Sequence, residues 1–139
     1  MRRAHTIPEL VLTLVLLALI TALAVPPFVA TTARWKLRAA VADVVNALVL
    51  ARESALARGA TATFVVDATR GEVMVTCAGD TITRRAVSDL HGVTLVASGD
   101  SVRYAPDGVA TGVSNTTILV ARGARIDSVV VSRLGRVRY

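Results

Sequence analysis

A single cysteine, Cys77, stands in this chain of 139 residues, which excludes any disulfide within it. Whatever folds here must therefore hold by packing. Cys77 closes an alternating run from Glu72, the setting of a small buried strand residue, and it has no histidine and asparagine companions that would make it a nucleophile. Histidine is nearly as scarce: His5 and His91 fit no metal-ligand spacing, and His91, just before Gly92, reads as a turn or strand-edge residue. No glycine-rich phosphate loop or nucleophile elbow occurs, and neither Ser54 nor Ser132 has a base to activate it. The sequence thus offers no catalytic residue, no metal site and no cofactor, and it reads as a non-enzyme. Aromatic residues make up only 4%, and there is a single long apolar run, which excludes a polytopic membrane protein. Internal repeats and low-complexity tracts are absent as well.

What the chain does have is concentrated at its start. From Leu10 to Ala33 no side chain is charged, a run long enough to cross a hydrocarbon layer of about 30 Å. Arg2 and Arg3 precede it, so the N-terminus is expected to stay on the cytoplasmic side and the remainder to lie outside. Glu9 stands at the mouth of the run, where a charge near lipid costs on the order of 2 to 3 kcal/mol. The natural partner to offset that cost is a cation supplied by another chain. Two plainer readings compete. One is a secretory signal peptide with Ala22-Leu23-Ala24 as its cleavage site, against which stand the acid at Glu9 and Pro26 just beyond the cut. The other is a plain single-span anchor.

Helical periodicity continues past Ala33. Leu37, Val41, Val44, Val45, Leu48 and Ala55 share one side, while Arg38, Asp43, Arg52 and Glu53 lie mostly elsewhere. Gly59, after Arg58, is a natural stop. A helix from about Thr6 to Arg58 would be roughly 80 Å long, far more than a bilayer needs. Pro26 removes a backbone donor, so a kink or local unwinding is expected there, deepened by Pro27. Trp35 suits the headgroup level.

From Ala60 the period changes to two. Strands are expected over Thr61–Asp67, Glu72–Cys77, Thr81–Val87, Val93–Ala97, Val102–Tyr104, Thr117–Ala121, Ile126–Ser132 and Arg136–Tyr139, separated by turns rich in Gly, Asp and Pro. So short a sheet region has limited area to bury by itself, and the amphipathic half of the helix should complete its core. The expected fold is α+β, a long N-terminal helix, membrane-embedded in its first half, packed against a C-terminal antiparallel β-sheet domain. Four segments follow: residues 1–4, an apolar helix over 5–33, an amphipathic half over 34–59 and a β-rich domain over 60–139.

The start of the chain, with its basic leader, Ala4-His5, Glu9 and apolar helix, resembles the signal of type IV pilins and pseudopilins. The resemblance implies cleavage by a prepilin peptidase between Ala4 and His5, N-methylation of His5, and a filament-docking role for Glu9. Ala4 stands where the family usually has Gly, and His5 where it usually has Phe or Met. In such proteins a proline at the distance of Pro26 lets the helix bend or melt as subunits pack. Over its whole length the chain is similar to the GspH/FimT group of minor pilins and pseudopilins. Ala51-Arg52 through Ala57-Arg58-Gly59, the run Val102 to Gly108, and the closing Val129 to Arg138 carry that similarity. It implies a single-pass protein of the bacterial inner membrane with a periplasmic C-terminal domain, drawn into a pilus or pseudopilus of a type IV pilus or type II secretion system, where it primes or caps assembly. Its partners would be other pilins, the prepilin peptidase and the inner-membrane assembly platform.

Some FimT-type minor pilins bind DNA through a C-terminal Gly-Arg-x-Arg element, which Gly135, Arg136 and Arg138 match. On a strand Arg136 and Arg138 would point the same way and Arg133 could join them, a cationic patch suited to phosphates of double-stranded DNA. The formal net charge of +6 is compatible with that use and equally with a solvated sheet face around a tight turn. A DNA receptor for natural transformation and an unrelated single-span adaptor therefore stand beside the assembly reading.

Overall fold

The computed structural model describes residues 6–111 and 115–139. The chain divides into two compact units, Met1–Arg34 and Trp35–Tyr139, with helix α1, Ile7–Arg58, contributing to both.

In the first unit the apolar side chains of α1 are exposed, among them Leu12, Leu16, Ile20, Leu23 and Phe28. A window of this helix reaches a mean hydropathy of 2.5, long and apolar enough to cross a membrane. Its threonines are tied back to the helix: the hydroxyls of Thr13, Thr21 and Thr32 donate to the carbonyls of Leu10, Leu17 and Val29 at 2.7–2.9 Å. That removes polar groups which would otherwise be costly in hydrocarbon. Pro26 and Pro27 lie within the helical span.

The second unit is an α+β fold of two antiparallel sheets. One contains β1 (Ala62–Asp67), β2 (Glu72–Cys77), β3 (Asp80–Arg85), β5 (Ser101–Tyr104) and β6 (Ala110–Thr111), in the order β3-β2-β1-β5-β6. The other contains β4 (Thr94–Ala97), β7 (Thr116–Arg122), β8 (Arg125–Val131) and β9 (Val137–Arg138), in the order β4-β7-β8-β9. The C-terminal half of α1 supplies the third part of the core. Leu37, Val41, Val44 and Leu48 are buried, interleaved with Ala40, Ala47, Ala51 and Ala55 on the same face. The alanines keep that stripe thin, so inward strand residues such as Phe64, Val75, Ile118 and Val129 reach full burial.

α1 ends as its sequence requires. Gly59 takes φ +57°, and the Ala60 N–H donates to the Ala55 carbonyl at 3.3 Å, closing a Schellman motif. The exposed Arg58–Asp80 pair at 3.3 Å adds little.

Two elements depart from the sequence reading. The strand expected through Val87 stops at Arg85, and a short helix α2, Val87–His91, follows with Val87 buried beneath it. A five-residue helix is too short to display a 3.6-residue period. Likewise β6, two residues paired with β5 across the Pro106–Gly108 turn, leaves no alternation to read. His91, expected as a lone turn or strand-edge residue, instead ends α2 and fastens it to α1. Its Nε2 lies 2.7 Å from Asp43 Oδ2, an oxygen that also accepts from Arg85 Nε at 3.0 Å. Arg122 completes the clasp by donating to the carbonyls of His91 and Gly92.

Replacing Ala51, fully buried on the sheet-facing side of α1, with Leu should overpack the core at a cost of about 1 to 3 kcal/mol. Thermal unfolding of the full chain in detergent would register this as a lowered Tm, and an unchanged Tm would mean that helix and sheets pack more loosely than described.

Candidate functional site

The sequence-derived site residues fall into two groups. Ala4 and His5 lie outside the described residues. Glu9 is exposed in the first turn of α1, where a carboxylate complements the positive end of the helix dipole. Arg133, Gly135, Arg136 and Arg138 come together on the C-terminal hairpin in the second unit.

That hairpin is built by local chemistry. After β8 the chain turns through Ser132–Gly135, closed by the Gly135 N–H donating to the Ser132 carbonyl at 2.8 Å. Ser132 holds both sides of the turn. Its N–H donates to the Arg136 carbonyl at 2.8 Å, and its hydroxyl accepts from the Arg136 N–H at 3.1 Å. β9 then pairs with β8 through Val131 opposite Val137 and Val130 opposite Arg138. Val137 turns toward the core side with buried Val131, so Arg136 and Arg138, either side of it, share the opposite face. Both are exposed, as is Arg133. Among the described residues none of the three meets a carboxylate within ion-pair distance.

Gly135 is required twice over. Its φ is +77°, and a Cβ placed on it would lie 3.0 Å from Tyr104 Cε1 and 3.4 Å from Ala110 Cβ. The motif glycine thus lets the turn close over Tyr104, which is 1% exposed. Tyr104 is a buried core residue and offers no face for base stacking, unlike Tyr139, which is 80% exposed. Burial raises the Tyr104 phenol above its ordinary value of 10.0, and the nearby Arg52 guanidinium pulls the other way.

Arg52 is the residue that sequence reasoning passed over, because on the helix it is one polar position among several. The fold brings it beside β9. Between α1 and β9 runs a groove of about 580 Å³ whose floor includes Leu48, Val49, Leu56 and Tyr104 and whose walls carry Arg52, Glu53, Arg136 and Arg138. A second hollow of about 360 Å³ lies farther down α1, between Arg38, Val45 and Asn46 on one side and Asp127 and Tyr139 on the other. Among the described residues no group of acidic, histidine or cysteine side chains is arranged to hold a metal ion.

The family model for type II transport protein GspH matches residues 40–135, which takes in α1 from Ala40, strands β1 to β8 and the turn before β9. Among solved structures the fold is similar to the type IV minor pilin FimU of Pseudomonas aeruginosa in two crystal forms. In the P21 form the TM-score is 0.64 at 13% identity, covering 78% of this chain and 90% of that one. In the P65 form it is 0.60 at 10% identity, covering 73% and 90%. Comparison with the curated protein sequences finds no match.

Gly135→Ala should lower stability by about 1 to 3 kcal/mol through the left-handed backbone and the contact with Tyr104, read as a reduced Tm. The raised Tyr104 pKa carries its own pH signature. The folded state keeps a proton that the unfolded chain releases above pH 10.0, so this stabilisation is full below that value and is lost as pH rises through the folded pKa. Tyr104→Phe should abolish the alkaline loss while leaving the neutral-pH plateau flat, as followed by denaturant unfolding at stepped pH.

Proposed function

The chain belongs to the GspH family of type II transport proteins, and from that premise we propose that it is a minor subunit of a pilus-like filament that acts in assembly. The observation that carries this reading is the first half of α1. It is an exposed apolar helix with one carboxylate, Glu9, in its first turn, joined to a domain with the fold of a minor pilin. Such a helix has two apolar destinations, a bilayer and a bundle of like helices, and a filament subunit passes from one to the other.

In this reading the leader is removed between Ala4 and His5, and the chain waits in the inner membrane as a single span with its sheet domain on the periplasmic side. Glu9 then meets the freed amine of a neighbouring subunit. In an apolar bundle either charge alone is costly, so the pair acts as a check on stagger: the correct offset satisfies both groups and a wrong one leaves both buried. Pro26 and Pro27 give the helix a place to bend or unwind as subunits pack. The sheet domain presents the surface that selects neighbours.

A second reading, DNA capture for natural transformation, is favoured by one observation. Arg133, Arg136 and Arg138 are exposed on one hairpin, and among the described residues none has a carboxylate partner. Contacts from so few guanidinium groups to phosphates would give weak, sequence-independent and salt-dependent binding.

The assembly reading is tested with Glu9→Ala. Membrane insertion should be unchanged, while recovery of the subunit in sheared filaments should fall about tenfold or more, as expected when a buried partner is left uncompensated. Incorporation at the level of the unaltered chain would remove Glu9 from the mechanism.

A further inference from the structure

We propose that the groove between α1 and the free edge of β9 receives an extended segment of a neighbouring filament subunit, one that carries a carboxylate beside an apolar side chain. The proposal rests on the reading of this chain as a filament subunit. It draws on three features of the groove.

The first is a partly exposed apolar floor. Val49 and Leu56, on one face of α1, are 44% and 52% exposed and line the groove together with buried Leu48. The second is charge. Arg52 from α1, Arg138 from β9 and Arg136 just before it line the same groove, against a single acid, Glu53. Guanidinium groups brought in from two elements suit a carboxylate placed between them, which they can bind through paired N–H donors. The third is the backbone. The Ser132 N–H to Arg136 carbonyl bond makes that cross-strand pair a hydrogen-bonded one. By the alternation of an antiparallel ladder, Val137 then turns its own N–H and carbonyl away from β8, toward the outer edge of the sheet, where Val137 lines the groove. An incoming strand could pair with Val137 there and place alternate side chains on the floor and on the arginines.

A nucleic acid fits the same groove less well. Phosphates would meet the Glu53 carboxylate, would gain nothing from Val49 and Leu56, and would find Tyr104 buried rather than presented for stacking. A peptide uses the floor, the charge and the strand edge together.

The test titrates the full chain in detergent micelles with fluorescein-labelled Val-Asp-Leu-Glu-Val peptide, with its Val-Asn-Leu-Gln-Val counterpart, and with a short labelled DNA duplex, all read by anisotropy. The acidic peptide should bind about tenfold or more tightly than its amide counterpart. Arg52→Gln should remove most of that preference, and Glu53→Gln should strengthen it about twofold to threefold by relieving like-charge repulsion. Leu56→Asp should weaken both peptides. Equal binding of the two peptides, or an acidic preference that survives Arg52→Gln, would overturn the proposal. So would a duplex that binds through Arg52 and displaces the peptide, which would hand the groove to nucleic acid. The readout is taken on the unassembled chain with Glu9 intact, so the two readings can fail separately. A chain that prefers the acidic peptide yet is never recovered in sheared filaments contradicts the filament reading, whereas a filament subunit with no peptide preference contradicts the groove.

Discussion

The second unit depends on one contact, the thin face of α1 from Leu37 to Ala55 laid against two sheets. Neither sheet is large enough to bury its own inward side chains, and the chain has no disulfide to compensate. The alanines at 40, 47, 51 and 55 and the larger residues between them are buried in one core with Phe64, Tyr104 and Ile118. Other features are secured to that contact. Asp43 on α1 holds α2 through His91, and Tyr104 under Gly135 holds the C-terminal turn.

The same helix changes composition along its length. From Leu10 to Ala24 no side chain is charged and all are exposed, and the hydroxyls of Thr13 and Thr21 are returned to the helix's own backbone. Past Trp35 it becomes amphipathic, burying one stripe and presenting Arg38, Arg52 and Glu53 on other faces. The proposed filament role would use both halves, one to exchange lipid for neighbouring helices and one that stays committed to its own sheets. The C-terminal hairpin joins the second half to the surface: its glycine is a packing residue and its arginines are free for a partner. Packing at Gly135 and exposure at Arg136 and Arg138 are therefore compatible within one motif, since the glycine sits in the turn over Tyr104 while both arginines stay exposed.

Much of this was legible in residues alone. The helix from Ile7 to Arg58 and its stop at Gly59 follow from hydropathy, periodicity and a glycine in the right place, all properties of neighbouring positions. β2 matches its expected span because Glu72 to Cys77 alternates cleanly. α2 and β6 were not legible, since five and two residues are too few to carry a period. The partnership of His91 with Asp43 was hidden for a different reason: the two lie far apart in the chain, and neither has a local pattern that names the other.

By itself, then, the sequence determined the long helix, the α+β class, the place of Glu9 at the mouth of an apolar run and the family resemblance of the C-terminal motif, because each depends on local spacing or composition. Only the tertiary structure decided that the strands form two sheets, that Tyr104 is sealed under Gly135, and that Arg52 stands in one groove with Arg136 and Arg138. Those outcomes depend on which strands pair and how the helix face lies against them, and that is set by the burial of side chains distant in sequence.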